Sequence, residues 1–186
     1  MSESTGRPES FISVDVETAG SNPVQFSLLS IGACLVDDPD TGFYVELTPI
    51  HQRASSAALE VSGLSLEELA VTGVEPEAAM RRFADWVSEV VPPGHVPVFA
   101  GFNAPFDWMF VDCYFQQFLG ENPFGHSALD IKSYFMGKMT SSWAETSMRF
   151  LSPRYLSGRP LGHNALGDAR DQAELFRAIM ADERSG

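Results

Sequence analysis

The segment Phe11-Ile12-Ser13-Val14-Asp15-Val16-Glu17-Thr18 places two acids inside what otherwise reads as a buried strand. Side chains alternate between the faces of a strand, so Ser13, Asp15 and Glu17 share one face and Ile12, Val14 and Val16 the other. Carboxylates held side by side repel, and each is driven toward its neutral form unless a cation stands between them. A hard divalent ion such as Mg²⁺, which takes oxygen ligands from one or two carboxylates, fits that position. Spacing alone does not establish this, because an Asp-x-Glu triplet arises by chance about once in a few hundred residues. Glu75-Pro76-Glu77 has the same spacing, yet Pro76 suits a first helical position, where acids simply favour the positive end of the helix dipole. Two further segments carry an acid where elements meet. Asp107 falls in the first turn of a helix opened by Asn103 and Pro105, and Asp168 opens the last helix, with His163 five residues before it. Taken singly, Asp107 also reads as an acid favoured at a helix N-terminus.

The elements that would hold these residues follow from pattern. Strands are expected at Phe11 to Thr18, Phe26 to Val36 and Phe43 to Leu47, joined by the turn-rich stretches 19–23 and 37–42 as an antiparallel meander. Two small helices are expected near Ser55 to Leu59 and Ser65 to Leu69. Pro76 opens a longer helix, whose Ala79, Phe83, Trp86, Val87 and Val90 recur at helical spacing until Pro92. A strand at Val96 to Ala100 leads into the helix that carries Asp107 and runs to about Leu119. A short strand at Ser127 to Leu129 ends at Asp130, which caps the next helix. Residues 131–160 read as helical pieces broken at Gly137, Pro153, Gly158 and Pro160. In the last helix Leu166, Ala169, Ala173, Phe176 and Met180 form one stripe, with Asp168 on its flank, near the packed face.

A chain of 186 residues with 44% hydrophobic content fits one globular domain over residues 11–182, preceded by a frayed polar tail at residues 1–10. No apolar run approaches the roughly 18 residues that span a bilayer, and Cys34 and Cys113 have no paired spacing. A cytoplasmic protein with reduced core thiols is expected. The net charge of −13 argues against a protein that coats duplex nucleic acid. The charge is uneven: residues 1–131 hold 4 Lys/Arg against 19 Asp/Glu, residues 132–186 hold 8 against 6. Any polyanion should therefore meet Lys132, Lys138, Arg149, Arg154, Arg159 or Arg170. His51, His95 and His126 have no motif around them and are assigned surface or structural roles.

Together, Val14-Asp15-Val16-Glu17-Thr18, Asn103-Ala104-Pro105-Phe106-Asp107 and His163-Asn164-Ala165-Leu166-Gly167-Asp168 resemble, in order and spacing, the three motifs of the DEDD-type 3′-to-5′ exonucleases of the His subtype. That group contains ribonuclease T, oligoribonuclease and the proofreading subunit of bacterial replicative polymerase. Two departures stand out. Ala19 follows Thr18 where a second Thr is frequent, and Gly101-Phe102 precedes Asn103 where a His is often seen. The resemblance implies an α/β, ribonuclease-H-like fold: a central mixed five-stranded sheet flanked by helices. It implies that Asp15, Glu17, Asp107 and Asp168 hold two Mg²⁺ or Mn²⁺ ions and that His163 is the general base. Phe106, Thr18 and Asn103 are the expected substrate contacts, although core packing is an equal reading of Phe106 in a chain with 14 Phe. The implied activity is release of nucleoside 5′-monophosphates from single-stranded DNA or RNA 3′ ends. The alternatives are degradation of very short RNA, or service as a subunit, with a second copy or a polymerase-type partner.

Overall fold

The computed structural model of the chain describes residues 6–159, 162 and 164–183. Its centre is a five-stranded mixed sheet. The strands are β1 (Glu9–Thr18), β2 (Leu28–Leu35), β3 (Gly42–Glu46), β4 (Val96–Gly101) and β5 (Ala128–Asp130), in the spatial order β3-β2-β1-β4-β5. β1 to β3 form the expected antiparallel meander, and β4 and β5 join β1 in parallel. The parallel strands point their C-terminal ends, Thr18, Gly101 and Asp130, to the same side of the sheet, with β1 reaching furthest, and this is the side where open α/β sheets place their ligands.

The helices are α1 (Ser56–Ser62), α2 (Leu66–Thr72), α3 (Pro76–Val90), α4 (Ala104–Phe118), α5 (Ile131–Met139), α6 (Met148–Tyr155) and α7 (Ala165–Ala181), with a 3₁₀ turn at Trp143–Thr146. One sheet face, through Ile12, Val14 and Val16, packs on α3 and α4, where Phe83, Phe110 and Phe115 are fully buried. Burial of each such ring stabilises the fold by about 1.5 to 3 kcal/mol. The other face, through Cys34 and Ala100, packs on α5, α6 and α7. Asp15 and Glu17 therefore lie on the α7 side of β1.

The structure corrects several expectations. Glu9 and Ser10, expected in the tail, pair with Val96 and Pro97 of β4, while residues 1–5 of that tail and the break expected at Pro160 lie outside the described residues. Gly137 and Pro153 do not break helices but sit inside α5 and α6. A glycine within a helix costs only about 1 kcal/mol relative to alanine. In α5 that cost is offset by the Asp130 cap, which accepts the Ser133 N–H at 3.0 Å, and by burial of Ile131 and Phe135. In α6 the proline removes one bond to the carbonyl of Arg149, an exposed residue that water can reach. Cys113 is only half-buried, unlike Cys34. His51 and His95 have structural partners, the Pro23 carbonyl and the Ser10 hydroxyl, and His126 is exposed.

Candidate active site

β1 brings the first two acids to the sheet edge by its twofold alternation. The third arrives from the far end of the chain. Helix α7 crosses β2 at Gly32, which is paired with Asp15 in the β1–β2 ladder. A Cβ at Gly32 would lie 2.1 Å from the backbone of Ala165 and Leu166, so only glycine lets the first turn of α7 rest on the sheet. The Asn164 side chain caps that turn by accepting the Gly167 N–H at 3.1 Å. Asp168 then sits against the packed face of α7, 4% exposed, as expected. One oxygen each from Asp15, Glu17 and Asp168 lie within 4.8 Å of one another.

Asp107 stands beside this trio. The β1–β4 ladder ends at Ser13 and Ala100, and beyond it the Val16 N–H donates to Asp107 Oδ1 at 3.2 Å. The helix start that supports Asp107 differs from expectation. Asn103 occupies the cap position with a left-handed backbone, φ 69°, and its side chain caps nothing. Asn tolerates that conformation better than most residues. Asp130 Oδ1 instead accepts the Ala104 N–H at 3.1 Å, so β5 anchors α4.

Sequence reasoning missed Gln172. It lies one turn after Asp168 on the buried face of α7 and is 1% exposed. Its Nε2 donates to Asp15 Oδ1 at 2.6 Å, and its Oε1 accepts the Phe102 N–H at 2.9 Å. A polar residue four positions after Asp168, inside an alanine-rich stripe, was the available signal.

The electrostatics follow from burying like charges together. Burial, then Asp107, Asp168 and Glu17, push the Asp15 carboxyl well above its usual range, against the lowering effect of Gln172. Burial pushes Asp107 up to about 8, although the Val16 N–H and its own backbone N–H pull it down. Such a group holds all its carboxylates ionised only when a cation compensates them. The donor set, all oxygen and convergent, fits a hard divalent ion. Asp15, Glu17 and Asp168 can ligate it directly, and Asp107 borders the same space.

Next to Glu17 lies a cavity of about 580 Å³, lined by Thr18, Phe26, Ala57, Val61 and Phe106 among others. Thr18 donates its hydroxyl to the Gly20 carbonyl at 2.8 Å, while Phe106 both lines the cavity and packs on Phe110, ring centroids 5.4 Å apart. Asn103 is exposed and does not line it. The expected general base, His163, lies outside the described residues.

Comparison with known proteins fits this geometry. Residues 12–176 match a family described as exonuclease, of the ribonuclease T type. The 3′-5′ DNA exonuclease Cap18 of Escherichia coli is 48% identical over 171 residues, 92% of this chain and 91% of that protein. Among solved structures, E. coli exonuclease I in complex with a dT13 oligonucleotide superimposes with a TM-score of 0.69 at 16% identity. That match covers 95% of this chain but 41% of exonuclease I, so the chain spans about two-fifths of that protein. The nuclease domain of 3′hExo, a DEDDh family member bound to rAMP, superimposes with a TM-score of 0.71 at 15% identity, over 93% of this chain and 92% of its own. These superpositions show the ribonuclease-H-like fold, and no helix among the described residues is long and apolar enough to cross a membrane. With its motifs, its acid-bearing sheet edge and a family match across most of its length, the chain belongs to the exonuclease family.

Proposed function

We propose that the protein is a divalent-metal-dependent 3′-to-5′ exonuclease acting on single-stranded DNA ends and releasing nucleoside 5′-monophosphates. The observation that carries this reading is the convergence of Asp15, Glu17 and Asp168, with Asp107 beside them, next to a cavity of about 580 Å³ that Glu17 lines. The DNA preference rests on the similarity to a 3′-5′ DNA exonuclease across nearly the whole chain. Mg²⁺ or Mn²⁺, as one ion or a pair, would be held by these carboxylates and would supply charge stabilisation at the phosphate.

The chain's own residues supply the rest. Phe106 offers its ring to the terminal base, and stacking of that kind accepts any sequence. Asp107 and Asp168 are buried, and Asp15 and Glu17 are partly open, so the acids face solvent mainly through the β1 pair. His163, five residues before Asp168, takes a proton from the attacking water, since its unperturbed pKa of about 6.5 suits a base near neutral pH.

The test is a gel assay of 5′-labelled DNA and RNA oligomers with Mg²⁺, with and without chelator. Single-nucleotide shortening from the 3′ end, abolished by chelator and faster on DNA, is expected. Shortening of only the shortest RNA oligomers would replace this reading with an oligoribonuclease-like one. No cleavage until a polymerase-type partner is added would make the chain a subunit.

A further inference from the structure

Of the six C-terminal cations that a polyanion was expected to meet, four are engaged by the protein itself. Lys138 donates to the Met180 carbonyl, Arg154 pairs with Asp182, Arg159 with Asp171 and Glu174, and Arg170 donates to the Pro39 carbonyl. Lys132 is held differently. Its ammonium lies 4.2 Å from the centroid of Trp143 and 5.7 Å from that of Phe102, between two aromatic faces. Such contacts fix a cation without neutralising it, leaving its N–H groups able to donate.

Trp143 is not a core residue. Trp86 and Trp108 pack against phenylalanine rings, whereas Trp143 is 55% exposed. It starts the 3₁₀ turn, which is fixed by reciprocal hydrogen bonds between Ser142 and Glu145, so the indole is carried on a braced segment. The exposed Arg149 and Phe150 follow on α6.

The position of this cluster links it to the acids. The Phe102 N–H is bonded to Gln172, which is bonded to Asp15, and Lys132 lies two residues beyond Asp130, the residue that anchors α4. The sheet order puts the Phe106 cavity at the β1 end of the acids, and Phe102, Lys132 and Trp143 at the β4 and β5 side. The Phe106 cavity and the Phe102–Lys132–Trp143 cluster thus flank the acids on opposite sides, so a strand that spans both would cross the acids.

Resting on the exonuclease reading above, we propose that Trp143 and Lys132 form a second nucleotide-binding platform, where Trp143 stacks on a base 5′ of the scissile phosphate and Lys132 meets a backbone phosphate. An exposed indole backed by an ammonium matches a stacked base followed by an anion, and it does so without reading sequence. Glu145 accepts from the Ser142 N–H and hydroxyl, and among the described residues no ion pair joins it to Lys132.

The test compares a 5′-labelled DNA oligomer of about ten nucleotides with thymidine 5′-monophosphate p-nitrophenyl ester, which reaches only the acids and the cavity. In Trp143→Ala the ratio of kcat/KM for the oligomer to that for the ester should fall roughly 5- to 100-fold, the range of one lost base stack, and the loss should lie in KM. Trp143→Phe should recover most of it. Lys132→Gln should flatten the dependence of log affinity on log salt by about 0.7, the contribution of one single-strand phosphate, measured with Ca²⁺ in place of Mg²⁺. An unaltered ratio in Trp143→Ala, or no recovery in Trp143→Phe, overturns the platform while leaving the exonuclease reading intact. Loss of a dimer in Trp143→Ala by light scattering, with the ratio unaltered, would assign the surface to a second copy. A wild-type protein that cleaves neither substrate would remove the functional reading and the platform with it.

Discussion

Gln172 Nε2 donates to Asp15 Oδ1 at 2.6 Å from a position almost completely closed to solvent. The bond fixes one Asp15 oxygen and stabilises its charged form, against the neighbouring acids. The same amide accepts the Phe102 N–H, so the carboxylate is tied to the end of β4 as well as to its own strand. Partners that orient a metal-ligating carboxylate typically matter 10- to 100-fold for affinity or activity. Gln172→Ala is therefore expected to weaken divalent-ion binding, followed by calorimetry, and to lower turnover by roughly that factor while circular dichroism reports a folded chain. Unaltered ion affinity would limit Gln172 to packing.

Gly32→Ala tests how α7 reaches the acids. The added methyl would meet the backbone of Ala165 and Leu166, which cannot rotate away as a side chain could. Overpacking of this kind costs about 1 to 3 kcal/mol, and here relief requires moving the helix start that carries Asp168. Activity should fall further than the loss of stability explains, with thermal melts and turnover measured on the same preparation. A variant of full activity would show that α7 can shift without carrying Asp168 out of reach.

Much of this arrangement was legible in the chain. The twofold alternation of β1 announced its paired acids, and Pro76 marked the start of α3, because both signals are local. Gly32 was silent, since its reason lies 133 residues away in the backbone of Ala165. Asn103 was placed at the right cap position but given the wrong bond. The Ala104 N–H goes to Asp130, a choice decided by how β5 docks beside β4. Gly137 and Pro153 misled because helix propensity is a weak prior that packing and capping override.

His163→Ala tests the proposed general base. A positioned general base contributes roughly 10²- to 10⁴-fold, so turnover should drop by that amount, while divalent-ion affinity should persist if the carboxylates hold the ion. The acidic limb of the pH–rate profile should vanish in the variant. Wild-type turnover with its chemical step rate-limiting and the limb retained would assign the base elsewhere.

The raised carboxyls predict a pH-dependent response to metal. Asp107, held at about 8 when folded against an ordinary value of 3.8, keeps its proton in the native state across a range where the unfolded chain has lost it. The native state then binds more protons, so metal-free stability falls as pH rises from about 4 toward 8 and levels beyond. Asp15 shifts in the same direction. A divalent ion supplies the missing countercharge, and its stabilisation should therefore be larger near pH 8 than near pH 5.5, read as the rise in Tm on adding Ca²⁺ or Mg²⁺. Asp168→Asn provides the matching variant: it removes one like charge from beside Asp15 yet keeps an oxygen for the Gly162 N–H, now 2.6 Å away. Its metal-induced rise in Tm at pH 8 should be largely gone and its turnover negligible. A metal-induced rise that is independent of pH, or that survives in Asp168→Asn, would place the ion away from these acids.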